Sequence, residues 1–527
     1  MPKYEHVQKI RWMYVALVPI LSLALILFLA LGLDRDSLSK FFRDDSFFYI
    51  KVAHNWGAGL GPTFDGFAMT NGFHYLWMAL LVLLDRIVAL QGVPGLRAVM
   101  ILHGILVAAA AYPAGRFFEK LGLTTSWLLL LIELLMSMAM FANIGIESPI
   151  LLLLSWAFVV CLYEQQGAFE AGVTSAWRSV AVGVSALGVV AARSDAVVWT
   201  AACGASVAAY QWFRHRNKHR AMTTIIWIFG PSLAFLAVAA VSNLIFFGHS
   251  ESISAYIKND FPDFLHNGWF QRAVIGIKVR LLLPVIISLI SLWLFFPARS
   301  LFSSIGGQRS PVAYWILAGL NMYVVIYSTL VYFFALGGIN SWYFTLSLSV
   351  ACTNIICVAQ YLMEKLNFST WLKGFVIVAT IGLIPTFTSL SLYLERFPKS
   401  ETQELLVMAD WMRSNLPQET RVFMVDLSGT MGYFSERGVV NGDGLINSWE
   451  YLDALRHGRL VEYLTQHNVK YVVAHQSPKG KMVSVWLGVF NLAPGSFLLA
   501  PVDTIMFSSG PFSIAPLSAY RLSVDGK

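Results

Sequence analysis

Long apolar runs separated by short polar clusters dominate the chain from Trp12 to about residue 394. Crossing the bilayer core takes about 20 apolar residues. Runs at 12–33, 97–118, 125–143, 148–163, 178–192, 196–212, 221–247, 281–297, 311–336, 343–363 and 374–394 meet or approach that length. The run 73–91 is apolar as well, but Asp85 and Arg86 interrupt it, and Gly92, Pro94 and Gly95 break it from its successor. From residue 397 the pattern changes. RVFMVDLSG (421–429) and KYVVAH (470–475) read as short buried strands, and Trp449–His467 reads as one helix with Leu452, Leu455, Leu460 and Leu464 on one side. Strand, helix, strand predicts a small α/β domain over 397–527, behind a membrane-spanning domain over 1–396. Gly429 and Gly432 do not make the G-x-G-x-x-G that opens a dinucleotide-binding helix, and they read as turn residues.

Composition agrees. Of 527 residues, 57% are hydrophobic and 13% charged, against roughly 45–50% and 25% in soluble domains. The class is a polytopic α-helical membrane protein. The net charge of +7 sits largely in clusters between apolar runs. A topological role explains it, and no nucleic-acid partner is implied. The basic MPKYEHVQKIR at the start and RHRNKHR at 214–220 belong on the cytoplasmic side. The run 12–33 is longer than a signal-peptide core of about 7–15 residues and reads as an uncleaved first span. Counting crossings from these anchors predicts a multi-pass protein of the cell (inner, cytoplasmic) membrane with a cytoplasmic N-terminus. An odd number of spans, 11–13, leaves residues 397–527 extracytoplasmic. The runs 73–91 and 97–118 cannot both cross; one must be short, kinked or only partly inserted. Cys161, Cys203, Cys352 and Cys357 lie in or beside apolar runs, so they read as packing residues rather than a disulfide framework or zinc site.

The same count puts the chemistry on one face. The first loop, 34–72, contains adjacent carboxylates, Asp44 and Asp45, and the polar positions continue through Tyr49, Lys51, Asn71 and His74. Glu147, Arg193, Asp195, Lys258, Asn340 and Tyr343 fall on that side too. Ionisable groups gathered near lipid are costly and usually mark a site. A carboxylate there suits general-base catalysis on a hydroxyl or stabilisation of an oxocarbenium-like centre. Adjacent helical residues point about 100° apart, so one aspartate would face a substrate while the other holds an acceptor, caps a helix or binds a cation. Lys258 reads as a snorkelling lysine or a lipid-phosphate ligand. Arg193 with Asp195 reads as an interfacial pair or as a phosphate clamp with its orienting carboxylate. Glu147 reads as a cap of the next helix or an acceptor ligand, and Asn340 and Tyr343 as part of the aromatic belt or a sugar-stacking or phosphate contact. No H-x-x-H or H-E-x-x-H spacing predicts a metal site.

The motifs resemble those of the GT-C glycosyltransferases, membrane enzymes that use polyprenyl-phosphate-linked sugars, including protein O-mannosyltransferases and lipid A aminoarabinose transferases. RDDSFFYIKVA is similar to their first-loop motif, FDGFAMTNGFHYLW to F-D-G…T-N-G-F-H-P-L-W with Tyr75 in place of proline, and GIESPILLLL to the G-M-E-T segment. ARSDAVVW resembles A-R-x-D, SISAYIK resembles P-V-S-x-x-x-K, and DLSGTMGYFSERGVVNGDGLINS resembles the extracytoplasmic domain of the bacterial members. The resemblance implies inverting transfer of a sugar from a polyprenyl-phosphate donor to a hydroxyl of a lipid, glycan or protein acceptor, among membrane lipids. It implies Asp44 as the catalytic first-loop aspartate, with Lys258 and Arg193 on the departing phosphate. No cofactor is required, and a divalent cation (magnesium or manganese) stays open. Two other functions compete: a glycolipid transporter or flippase, and a non-catalytic membrane scaffold.

Overall fold

The computed structural model describes residues 2–123, 143–173, 175–259, 284–291, 310–334, 341–365, 400–424, 427–475, 498–504 and 517–523, with positions 128, 131, 132 and 135. Among them, helices Gly92–Lys120, Ser148–Glu170, Lys218–Phe247 and Pro311–Val331 are long and apolar enough to cross a membrane. Shorter apolar helices cover Ala16–Gly32, Ala176–Ala192 and Thr345–Gln360. The spans expected at 125–143, 281–297 and 374–394 lie largely or wholly outside the described residues.

The interrupted run 73–91 forms a helix only at Tyr75–Ile87, 13 residues long, about 20 Å at 1.5 Å per residue and too short to span. Both its ends stay beside the first loop. Its N-cap His74 lines a cavity with Asp45, and near its C-terminus Asp85 accepts from the Leu90 amide (2.7 Å) and meets His54 Nδ1 at 2.9 Å. The charge that broke the apolar pattern is therefore a fastening to the helix Asp44–Gly57. The neighbouring helix Gly92–Lys120 is the one long enough to cross.

The C-terminal region holds a five-stranded sheet, β1 (Arg421–Met424), β2 (Gly438–Asn441), β3 (Val469–His475), β4 (Leu498–Thr504) and β5 (Leu517–Ser523), in the order β2-β1-β3-β5-β4. β1 is parallel to β2 and β3, and β5 is antiparallel to β3 and β4. Parallel neighbours need crossover connections, supplied here by helix Ser428–Phe434 and by helices Trp449–Arg456 and Leu460–Gln466. Central parallel strands are covered on both faces and read as unbroken apolar runs. On β1, Val422 and Met424 join the large core shared with the first loop and the spans, whereas Phe423 joins a second core with Tyr451, Leu455 and Leu464.

Two local expectations need correction. Trp449–His467 is two helices rather than one, because Gly458 adopts φ +67° and the chain turns there. The four leucines are nonetheless buried. Gly429 and Gly432 are not turn residues. They lie inside helix Ser428–Phe434, where a Cβ would meet the Asp44 carbonyl oxygen at 2.2 Å and Phe64 Cζ at 2.5 Å. Their lack of a side chain permits that approach.

Candidate active site

Helix Asp44–Gly57 organises the site because its faces have different partners. Residues at i, i+3 and i+4 share a face. Asp45, Phe48 and Tyr49 form one such set, and all line a cavity with Gly72, His74, Ile146, Glu147, Arg193, Ser254, Tyr343, Leu445 and Ile446. The empty space between these walls, open solvent at the mouth included, is about 570 Å³. A second face carries Ser46, whose hydroxyl donates to the Ile144 carbonyl at 2.6 Å. Gly145, at φ +91°, makes this approach possible, since a Cβ there would sit 2.7 Å from Ser46 Cβ. The glycine of GIES thus presses the Glu147 segment onto the helix.

The third face explains Asp44. Its carboxylate accepts from Gly429 N (2.8 Å), Thr430 N (2.8 Å) and Thr430 Oγ1 (2.9 Å). Phe47, one turn on, packs against Tyr433 and Phe434 with ring centroids 5.4 and 5.6 Å apart. Burial raises the Asp44 carboxyl from 3.8 to about 7, against the lowering effect of its amide and hydroxyl donors. Burial likewise holds the Lys51 ammonium below its usual value, opposed by nearby Glu436. Asp44 and Lys51 therefore face the C-terminal region. Of the two candidate carboxylates, Asp44 lies against the C-terminal region and Asp45 lines the cavity.

Deeper in the cavity Arg193 is almost fully buried. Its Nε and Nη2 donate to Asp195 at 2.8 and 3.0 Å, its Nη1 to Glu147 Oε1 at 3.4 Å, and its guanidinium carbon lies 4.4 Å from the Tyr343 ring centroid. Tyr327 Oη donates to Asp195 at 2.9 Å. Burial acts to raise Asp195, but the guanidinium prevails and leaves it below the usual carboxylate range. His74 Nε2 lies 3.6 Å from Glu147 Oε1. Glu147 is the backbone N-cap of helix Ser148–Glu170, yet its side chain caps nothing; it holds Arg193. Burial, then the charge of Glu147, puts the Tyr49 hydroxyl well above its ordinary value, so it stays protonated.

Asn71, another polar position of the first loop, is not among the residues that line the cavity. It is fully buried, its Nδ2 donating to Asn243 Oδ1 and the Glu251 carbonyl (both 3.1 Å) and its Oδ1 accepting from Ile253 N at 2.9 Å. It pins the start of helix Ile253–Asn259, which brings Ser254 to the cavity and contains Lys258. The Lys258 side chain and Asn340 lie outside the described residues. Sequence reasoning missed Phe48, Ser254, Tyr327, Leu445 and Ile446. Phe48 was signalled by its three-residue spacing from Asp45, and Leu445 and Ile446 by their place in the C-terminal motif. No group of three or more His, Cys, Asp or Glu side chains that would hold a metal ion gathers among the described residues. No step below runs through a metal.

Residues 396–511 match a family described as a domain of unknown function, DUF8728. No curated protein matches in sequence. Among solved structures, the apo oligosaccharyltransferase of Archaeoglobus fulgidus superposes with a TM-score of 0.55 at 12% identity, over 94% of this chain and 74% of that one. ArnT from Cupriavidus metallidurans, bound to undecaprenyl phosphate, gives 0.54 at 12% identity over 96% and 97%. The Archaeoglobus fulgidus oligosaccharyltransferase AglB, in complex with an inhibitory peptide and a dolichol-phosphate, gives 0.51 at 13% identity over 90% and 70%. The chain has the fold of the GT-C glycosyltransferases, membrane helices with a small α/β region at the C-terminus.

Proposed function

We propose that this chain transfers a sugar from a polyprenyl-phosphate-linked donor to an acceptor hydroxyl in the cavity, on the extracytoplasmic face of the membrane and with inversion at the anomeric carbon. The observation that carries this reading is the meeting of Asp45 and Arg193, 148 positions apart by their numbers, in the wall of one cavity. Two of the similar folds hold polyprenyl phosphates, dolichol-phosphate and undecaprenyl phosphate, which supports a lipid-linked donor and a membrane location.

In this mechanism Asp45 takes the proton of the acceptor hydroxyl as the oxygen attacks the anomeric carbon. The bond from that carbon to the phosphate oxygen breaks, and polyprenyl phosphate leaves with one more negative charge. Arg193 alone does not neutralise it, since the guanidinium is already set against two carboxylates, Glu147 and Asp195. The remaining positive charge is assigned to Lys258 and to His74, with Tyr49 as a neutral donor. Fixed donors of this kind stabilise developing charge without reorganising. A transport path would place ionisable groups deep in spans; Asp85, one of the few candidates for that, is tied to the first loop instead.

The test is reconstitution in liposomes with synthetic polyprenyl-phosphate sugars, following released polyprenyl phosphate and glycosylated acceptor by mass spectrometry. Asp45→Asn should lose both products together. Wild-type turnover in that variant removes the base, and translocation of intact donor without cleavage removes the reaction.

A further inference from the structure

We infer that Asp44 is a positioning residue that fastens the C-terminal region to the helix bearing Asp45, and thereby sets the wall that Leu445 and Ile446 contribute to the cavity. This rests on reading the cavity as the active site, but the fastening itself does not.

Hydrogen bonds and the short stretch of chain between them join Asp44 to the cavity lining. Asp44 receives three donors from Gly429 and Thr430, residues 385 and 386 positions away. A carboxyl group has acceptor capacity for all of them. Next to Gly429, the Ser428 hydroxyl accepts from Asn441 Nδ2 at 2.7 Å. Asn441 in turn shapes the loop beyond β2: its Oδ1 accepts from Gly444 N at 2.9 Å and its carbonyl from Asn447 Nδ2 at 2.7 Å. Between those two points lie Leu445 and Ile446, which line the cavity. Asp44 therefore connects through Ser428 and Asn441 to Leu445 and Ile446, which line the same cavity as Asp45. The tandem aspartates divide the work, one presenting a carboxylate to the cavity and the other holding that part of its wall in register with it.

The test combines hydrogen exchange of the full-length protein in detergent with transfer kinetics. Asp44→Ala and Thr430→Val should each raise amide exchange across 428–434 and 441–448 by tenfold or more. Both should raise KM for the acceptor several-fold while leaving the pH profile of kcat in place. A simple loss of folded protein would lower kcat and leave KM unchanged. The double variant should be no worse than Asp44→Ala alone, as expected for residues in one network. Asp45→Asn should lose turnover with exchange in both segments unchanged. The inference is overturned if Asp44→Ala exchanges like wild type. It is overturned equally if Thr430→Val is silent in both readouts while Asp44→Asn removes the acidic limb of the pH profile, which would make Asp44 the base. Exchange is read without turnover, so failure of the transferase reading leaves this part of the test intact.

Discussion

The cavity and the seam with the C-terminal region flank a single helix, Asp44–Gly57, and handle buried charge in different ways. At the seam one carboxylate, Asp44, meets two backbone amides and one hydroxyl. In the cavity two carboxylates, Glu147 and Asp195, meet the guanidinium of Arg193. Neutral backbone donors fix a position and carry no proton chemistry of their own. Titratable side chains brought in by separate elements can exchange protons and partners. The seam is built to hold still and the cavity to react.

The sharpest way to break this contrast is to neutralise each aspartate in turn. Asp45→Asn is expected to cost about 10²–10⁴-fold in transfer rate with the seam's exchange pattern unaltered; an equal loss of seam protection would merge the two regions. Arg193→Ala leaves Glu147 and Asp195 without their cation. The Arg193–Glu147 pair is buried on both sides, and breaking a buried pair costs about 3–5 kcal/mol, so a marked fall in melting temperature and loss of transfer are expected, with Arg193→Lys recovering stability in part. Unchanged melting would mean the guanidinium is not the hub of the cavity. Gly429→Ala puts a Cβ 2.2 Å from a backbone oxygen, and crowding of this kind costs about 1–3 kcal/mol. Thermal unfolding should register that, and a neutral result would open the seam.

A smaller effect sharpens the comparison through pH. The Asp44 carboxyl is raised in the fold, to about 7 from 3.8, first by burial. A folded value above the unfolded one makes the fold bind the extra proton. The stability it contributes is complete below about 4 and is lost as the pH rises through 7. Asp44→Asn should therefore flatten the decline in stability across that window; Asp65, raised by burial to about 6, acts in the same direction and should keep part of the slope. A parallel curve would contradict the placement of Asp44. Least of all should matter the bidentate pair of Arg35 with Asp410, 2.8 Å at both contacts. It is partly exposed on both sides, and Asp410→Asn is expected to change stability by about 1 kcal/mol or less, which denaturant titration at low and high salt would read.

Periodicity disclosed the membrane class and the C-terminal strands, because a period of 3.6 or an unbroken apolar run survives without knowledge of contacts. The interruption at Asp85 was visible as an anomaly, and its resolution as a short helix needed only the rule that a crossing takes about 20 residues. Arg193, Asp195, Glu147 and Tyr343 gather in one cluster. Which member of the acidic pair faces the cavity was not legible. Helical geometry gives the 100° between them, but the partner that claims Asp44 lies 385 positions away. The same distance hid the purpose of Gly429, since a glycine that admits a remote backbone looks like any turn glycine. The partners of Asn71 were hidden for a related reason: Asn243 and Ile253 lie far along the chain.

The span from Asp44 to its donors also sets a timetable for biogenesis. At about 5–20 residues per second, the ribosome needs roughly 20–80 s after making Asp44 before Thr430 exists. Throughout that interval the acidic helix emerges beside the bilayer without its cap, and every later span must be threaded before the closing contact can form. A chain stalled or truncated ahead of helix Ser428–Phe434 would thus contain the acidic pair and the arginine cluster, yet leave one wall of the pocket unbuilt.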